Sequence, residues 1–449
     1  MAKNRVLCTL FALVLLISFG GCGKDVSTDD TTTTHTTTGS TEEVELTASQ
    51  TDSQKGQSST KTTENRSSSK TSNKTSNKTS NKASNKTGTA TGSSSTVTAT
   101  TTTTTKAPSA TYALEPIKPE EYYGLSELNK MPKAKDMVAA YHRIVESAEA
   151  CTTVIPMDGT LTGDEIQKAF FFYRADYPQH FWVNGSLDYS TKNGYVTQIK
   201  LSYGMSGNDL AQAKQSFNRE VQALVSLAAT GKDDYERELL LHDALAQRAV
   251  YRDGKNGHNA YGAIVENQAV CEGYARAFQY VLYQAGIQCL MVDGKSVNPS
   301  TGHEETHAWN VAKIGGQYYH VDLTWDDANH EKVSVMYPYF NLTTEQIEQS
   351  GHVIVMENGY TLPNCTATAE NYHVKNGSRL TSYTIDTVAA LLKAQPNGAH
   401  MFVVGNGADF QNWFQTNVKE IAKKAGVTQS FSYSMVNIGN EFCVWITPT

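Results

Sequence analysis

Three side chains in the middle of the chain have the types needed for nucleophilic catalysis: Cys271, His307 and Asp322. A cysteine thiolate attacks a carbonyl carbon, an imidazole moves the protons, and a carboxylate orients the imidazole and stabilises its charged form. This chemistry requires contact between groups that lie 36 and then 15 residues apart in sequence. The secondary structure around them therefore decides whether they can meet.

Cys271 precedes a pattern typical of an amphipathic helix, and Gly286 is placed to end that helix. We therefore expect Cys271 in the first turn, where the unpaired N–H groups and the positive dipole end favour a thiolate and could bind an oxyanion. On its own, the position is also explained by a small residue that packs at a helix start. The apolar stripe consists of Tyr274, Ala277, Phe278, Val281, Leu282 and Ala285.

The segment that carries His307 reads as one arm of a β-hairpin. Residues 307–314 and 317–323 both alternate in polarity, and Gly315-Gly316 between them is typical of a two-residue turn. This turn places Trp309 opposite Asp322 and makes His307 its diagonal neighbour, within reach of a hydrogen bond. A three-residue turn would instead put the pair on opposite faces.

Three blocks of sequence resemble the core of the transglutaminase-like superfamily, and the similarity points to its bacterial extracytoplasmic branch. They are 267–275 (NQAVCEGYA), 307–310 (HAWN) and 320–327 (HVDLTWDD), and a stretch at 241–263 looks like the family's lead-in helix and loop. The resemblance covers residues 231–345. It implies a papain-like α+β fold, in which the helix that carries the cysteine packs on an antiparallel sheet, with a Cys271–His307–Asp322 triad.

Members of this superfamily include peptidases, protein cross-linking enzymes and inactive relatives. We expect a cysteine peptidase acting on protein or peptide amides without a cofactor. Protein-glutamine cross-linking and a non-catalytic module that binds peptides or cell wall are the alternatives. Gln268, Tyr261 and Trp309 are candidates for substrate contacts or for a second oxyanion donor, and His320 is an alternative base.

Residues 303–307 also satisfy the HExxH pattern of zinc proteases, with Asp326 as a possible third ligand. That pattern holds a metal only on a helix, where residues four apart share a face. Pro299 and Gly302 before the motif and the alternating residues after 307 favour a strand, so no metal is predicted.

The start of the chain reads as a lipoprotein signal peptide over 1–22. A short apolar run follows Lys3 and Arg5, and small residues precede Cys22. Lipidation of Cys22 would anchor the protein outside the bacterial cell membrane; ordinary secretion is the alternative. Residues 23–113 are rich in Thr, Ser and Lys and poor in large apolar residues, which predicts a disordered linker.

Residues 113–449 hold 26 Lys and Arg against 37 Asp and Glu, which argues against nucleic-acid binding. Five cysteines remain after Cys22, so at least one thiol is free. Residues 114–230 predict an α+β segment with a helix at 134–150, strands at 168–174, 180–183 and 195–203, and a second helix at 210–227. Residues 346–449 predict a small α/β domain, with helices at 385–393 and 410–425 and strands at 401–404, 430–436 and 441–446.

Overall fold

The fold is described from a computed structural model. It covers residues 42–44, 114–297, 302–327, 335–395, 400–405, 409–427 and 431–448. The predicted signal peptide and Cys22 lie outside these residues. Most of the predicted linker also lies outside them, but Glu42–Val44 forms a strand, β1, within it.

The segment after residue 114 combines four helices with a three-stranded sheet. The helices at 134–150 and 210–227 and the strand at 195–203 are confirmed, the first and the last with the same bounds. The elements are a 3-10 turn at Pro119–Glu121, α1 (Tyr123–Leu128), α2 (Ala134–Ala150), β2 (Val154–Pro156), α3 (Gly163–Asp176), β3 (Val183–Lys192), β4 (Tyr195–Tyr203) and α4 (Gly207–Ala228), with the strand order β2-β4-β3.

Two predictions in this segment are wrong. Residues 168–174, predicted as a strand from their aromatic run, belong to α3. The cause is a capping box, in which the Thr162 hydroxyl accepts from the Glu165 backbone N–H and the Glu165 carboxylate accepts from Thr162. The predicted strand at 180–183 gives way to β3, which starts only at Val183.

The central region places one buried helix against a four-stranded antiparallel sheet, and the predicted α+β core is confirmed. The sheet has the order β10-β7-β8-β9. Its elements are α5 (Asp234–Arg248), β5 (Val250–Tyr251), a π-helical turn (Gly262–Glu266), β6 (Gln268–Ala269), α6 (Cys271–Gln284), β7 (Cys289–Val297), β8 (Glu304–Ile314), β9 (Gln317–Val321), α7 (Leu323–Asp326), α8 (Thr344–Gln349) and β10 (His352–Ile354).

This sheet extends beyond the segment in which the sequence placed the catalytic core. Strand β10 pairs with β7 through His352↔Ser296 and Ile354↔Gly294, although it follows the expected boundary at residue 345. The buried residues of the N-terminal segment and of the central region form one continuous hydrophobic cluster. Segments that precede the predicted core in the chain and segments that follow it therefore both pack against its helix and sheet.

The last part of the chain packs two helices on a second sheet. The predicted helices and strands are confirmed, with ends that differ by at most two residues. The predicted elements are α10 (Ile385–Ala394), β12 (His400–Gly405), α11 (Phe410–Ala425), β13 (Phe431–Ile438) and β14 (Glu441–Pro448), and the structure adds α9 (Tyr372–Lys375) and β11 (Arg379–Leu380). The strand order is β1-β13-β14-β12-β11, and this part has a separate hydrophobic cluster.

No helix in the described part of the chain is both long enough and apolar enough to cross a bilayer.

Candidate active site

Cys271 is the first residue of α6, as predicted. Its thiol is free and partly exposed, and its side chain packs against a small buried cluster of Ala275, Met291 and Ala308. Val270 at the N-cap position offers no side-chain cap. The first N–H groups of α6 have no partner within the helix, so this end can donate to a bound anion.

The predicted hairpin brings the second and third residues together. Gly315 and Gly316 have φ values of 57° and 85° and form the two-residue turn, in a left-handed conformation that most side chains disfavour. Ile314 therefore faces Gln317, and the His307 side chain reaches Asp322. Their Nε2 and Oδ2 atoms lie 2.6 Å apart.

His307 is held as a charged donor between the carboxylate and the thiol. Burial disfavours the charged ring, but attraction to Asp322 and hydrogen bonds with Asp322 and the Cys271 side chain outweigh it and raise the pKa of His307 to about 10. Since Nε2 donates to Asp322, Nδ1 is the nitrogen left for the thiol. The imidazole is thus an imidazolium at neutral pH.

Asp322 is fully buried and accepts three hydrogen bonds. Oδ1 caps α7 by accepting the Trp325 backbone N–H at 3.1 Å. Oδ2 accepts from His307 and, at 2.9 Å, from Nε2 of His352. Burial raises the pKa of the carboxyl, but the two histidines more than offset this and hold it below its usual range. Asp322 therefore stays ionised.

Trp309 and His320 form a neighbouring pair that does not reach the thiol. Trp309 is buried and its indole N–H donates to Nδ1 of His320 at 3.0 Å. The prediction of Trp309 as an oxyanion donor is therefore corrected, because its only donor is already used. Burial lowers the pKa of His320 to about 3. Its Nε2 lies 3.2 Å from the Thr344 hydroxyl, so His320 does not replace His307 as the base.

The other two candidates lie on the loop before α6. Gln268 is partly buried on β6, and its side-chain amide lies beside the backbone of Gly254. Tyr261 precedes the π-helical turn and its ring lies 4.9 Å from that of Phe181. Neither side chain is placed in contact with Cys271, so neither has an observed role at the thiol.

Tyr251 contacts the nucleophile and was not among the predicted site residues. It lies on β5, opposite Ala269 of β6, and its ring stacks on Tyr274 of α6 at 6.5 Å. Burial raises the pKa of its hydroxyl, as do the negative charges of Cys271 and other nearby acids, while a hydrogen bond from the Cys271 backbone N–H acts in the opposite direction. The parallel β5–β6 pairing that positions Tyr251 has no local sequence signal.

The zinc-protease alternative is not favoured by the geometry of residues 303–307. Glu304–Ile314 is a strand rather than a helix, so His303 and His307 are not presented together to one ion. Atoms of His307, Asp322 and His352 lie within 4.8 Å of one another, a spacing that could hold a metal. These same atoms are joined by hydrogen bonds.

The remaining described cysteines, Cys151, Cys289, Cys365 and Cys443, are also free thiols. Cys289, Cys365 and Cys443 are buried, and burial raises the pKa of each. Buried thiols of this kind are unreactive. Cys151 shares the partial exposure of Cys271, and Cys443 lies 3.6 Å from Nε2 of His373 but is buried. Cys271 combines partial exposure with an imidazole partner.

Comparison with known proteins agrees with the predicted core. Residues 222–323 match the model of the transglutaminase-like superfamily, which confirms a domain of this superfamily in the chain. A stretch of 84 residues is 34% identical to the kyphoscoliosis peptidases of Mus musculus and Homo sapiens. It represents 16% of this chain and 13% of the length of each relative.

Among solved structures, that of a TGase matches 31% of this chain and 43% of its own length, at 11% identity and a TM-score of 0.23.

Proposed function

We propose that this protein is a thiol enzyme that transfers the acyl group of protein or peptide amides through Cys271. The observation that carries the proposal is the position of His307, which contacts both the Cys271 side chain and the Asp322 carboxylate. Hydrolysis is the favoured outcome, so the enzyme would be a cysteine peptidase. The name of its curated relatives, kyphoscoliosis peptidase, supports this choice.

In the acylation step, the Cys271 thiolate forms a bond to the carbonyl carbon of the amide. The oxygen becomes negatively charged and binds the donors at the start of α6. The His307 imidazolium then gives its proton to the amide nitrogen as the C–N bond breaks. The amine leaves, and a thioester remains on Cys271 beside a neutral His307.

In the second step, His307 takes a proton from water while the water oxygen attacks the thioester. Collapse of the intermediate breaks the C–S bond, releases the carboxylic acid, and restores the thiolate–imidazolium pair. If an amine attacked instead of water, the same intermediate would give a cross-linked product. The triad is therefore common to both reactions, and the acceptor separates them.

Tyr251 completes the site as a second oxyanion donor. Its hydroxyl lies beside the Cys271 backbone N–H. The carbonyl oxygen of a substrate would lie next to this N–H during attack by Sγ. Tyr251 is 37% exposed, so an incoming substrate can reach this position. The two donors would then share the developing negative charge.

The reaction is tested by labelling the purified protein with limiting iodoacetamide from pH 5 to 9 and mapping the modified cysteines by mass spectrometry. We expect Cys271 to react faster than the partly exposed Cys151, and to lose this advantage in His307→Ala. The matched control is His303→Ala, which changes a partly exposed histidine in the same HExxH segment. Equal labelling of Cys271 and Cys151 would favour a non-catalytic binding module.

The acceptor is tested with casein and a fluorescent primary amine. A cysteine peptidase releases new amino termini without incorporating the amine, whereas a cross-linking enzyme attaches it to glutamine. Either product must disappear in Cys271→Ala.

The proposal also includes location. The sequence of residues 1–22 supports an enzyme anchored outside the bacterial cell membrane by lipidated Cys22, with residues 23–113 as a tether. A Cys22→Ser variant should leave the membrane fraction while its catalytic rate is unchanged. Retention of this variant in the membrane would contradict lipid anchoring through Cys22.

A further inference from the structure

A second histidine shares the triad carboxylate, and it comes from outside the matched family region. His352 lies on β10, 30 residues after Asp322 and beyond residue 323, where the family match ends. Its Nε2 lies 2.9 Å from the same Oδ2 atom that His307 contacts at 2.6 Å. The carboxylate is thus held between two imidazoles.

The chemistry of the neighbours fixes which nitrogen of His352 carries hydrogen. An ionised carboxylate can only accept, so Nε2 must be the donor to Asp322. Burial lowers the pKa of His352, which favours a neutral ring. The Ser350 hydroxyl lies 2.8 Å from Nδ1 and 2.6 Å from the Ile347 carbonyl oxygen, and it has one hydrogen to donate to either. Ser350 therefore contacts the Nδ1 edge of the ring and limits its rotation, while the acceptor-only Asp322 carboxylate places a hydrogen on Nε2.

The His352 ring is also fixed by packing. It is 1% exposed and its centroid lies 4.4 Å from Trp325 and 4.9 Å from Trp309. Strand β10 pairs with β7, which in turn pairs with the strand of His307. His352 and His307 are consequently attached to one sheet, and their separation cannot change without disturbing it.

We propose that His352 is a positioning residue for the acyl-transfer reaction, which holds the Asp322 carboxylate in the orientation that directs His307 toward Cys271. The inference rests on the proposed function. Trp325 N–H fixes Oδ1 and His352 fixes Oδ2, so the carboxyl group cannot rotate away from His307. His352 is buried and acts through Asp322.

The ionisable groups that face His352 set the expected pH response. They are Asp322 at the start of α7, His307 on β8, His320 on β9 and Tyr339. The ring centroid of Tyr339 lies 5.7 Å from that of His352. Of these, Asp322 is the one that loses a hydrogen bond when His352 is replaced. Losing a donor to its charged form raises the pKa of Asp322, so activity should disappear at a higher pH on the acid side.

The test compares His352→Gln with His352→Asn. The amide of Gln reaches the position of Nε2 and can still donate to Asp322, whereas the shorter Asn ends near Nδ1 and cannot. We expect His352→Asn to lower the rate of Cys271 alkylation and of substrate turnover about tenfold, the loss expected for one hydrogen bond to a charged group. The acidic side of its pH–rate profile, called the acid limb here, should move to higher pH. His352→Gln should retain the wild-type limb and most of the rate.

Ser350→Ala provides a second variant if substitution of His352 prevents folding, since it leaves the ring in place. It should weaken the reaction by less than His352→Asn, with a shift of the acid limb in the same direction. The inference is overturned if neither His352→Asn nor Ser350→Ala moves the limb, or if Gln and Asn lower the rate equally with unchanged limbs. Failure of the proposed function is a different result: wild-type Cys271 would then show no fast alkylation.

Discussion

Two histidine–carboxylate pairs lie at opposite ends of α7, and their comparison separates catalysis from structural support. Asp322 precedes α7 and pairs with His307, and Asp326 ends it and pairs with His242 of α5. The Nε2–Oδ2 distances are 2.6 Å and 3.2 Å. All four side chains are buried, so burial and pairing do not by themselves identify an active site.

The difference lies in the second nitrogen of each ring. That of His307 is left for the Cys271 thiol, whereas Nδ1 of His242 lies 3.2 Å from the Asp243 carboxylate. Burial opposes the charge on His242, but the two carboxylates raise its pKa to about 9. His242 is therefore a cation placed between two carboxyl groups, while His307 has a nucleophile to activate.

The largest expected effects come from removing each imidazole. His307→Ala should lower turnover by at least about 10⁴, because no group remains to move the proton. His242→Ala should instead lower the free energy of unfolding by about 3–5 kcal/mol, since it leaves Asp243 and Asp326 without their shared cation. Kinetics and urea denaturation of both variants check this. Loss of turnover without loss of stability in His242→Ala would break the distinction.

Replacing the two carboxylates gives the next largest contrast. Asp322→Asn should lower turnover by about 10³–10⁴, because an amide cannot stabilise the imidazolium and can donate to the wrong nitrogen. Asp326→Asn should stay within about tenfold of wild type, since the Asn carbonyl can still accept the Tyr339 N–H that Asp326 accepts at 2.9 Å. Equal losses in the two variants would mean that α7 acts as one structural unit.

A smaller effect is expected from replacing Tyr251, which neighbours Cys271 and belongs to the catalytic pair's surroundings. Tyr251→Phe removes one oxyanion donor but keeps the ring that stacks on Tyr274. Turnover should fall about 10–100-fold with a similar unfolding midpoint. If Tyr251 were only a packing residue, the rate would remain at the wild-type value.

The pH dependence of stability should distinguish the two carboxyls most finely. The lowered pKa of Asp322 means that its contribution to stability is present above its ordinary value of 3.8 and is lost as the pH falls through its folded value. Burial raises the pKa of Asp326 to about 7, so its contribution is present below 3.8 and is lost as the pH rises through about 7.

Urea denaturation from pH 4 to 8 checks these opposite signs. The stability difference between wild type and Asp326→Asn should change steadily toward pH 7. That between wild type and Asp322→Asn should stay nearly constant over this range, because the contribution of Asp322 is lost only below 3.8. Parallel curves for the two variants would contradict the assignment.

Local sequence patterns were sufficient to predict the parts of the site that depend on neighbouring residues. The apolar stripe after Cys271 predicted where α6 begins, and Gly315-Gly316 predicted the register that brings His307 to Asp322. The strand predicted within α3 shows the limit of such patterns, because aromatic residues suit either element. The capping box at Thr162 was the signal that favoured a helix.

Tyr251 and His352 could not be predicted in the same way. Tyr251 reaches Cys271 through the parallel pairing of two-residue strands, and His352 reaches Asp322 through an edge strand that follows α8. Both contacts depend on pairing between segments that the chain order does not reveal. The Gln268, Tyr261 and Trp309 candidates were chosen by proximity in sequence, which is a weaker guide than register.

The most direct test of the central claim is intact-protein mass spectrometry after rapid acid quenching of the enzyme with a peptide ester. We expect a mass increase equal to the acyl group, located on the peptide that contains Cys271 and absent from Cys271→Ala. Asp326→Asn should form the adduct, and His307→Ala should not accumulate it on the same timescale. Turnover that persists in Cys271→Ala without such an adduct would contradict acyl transfer through this thiol.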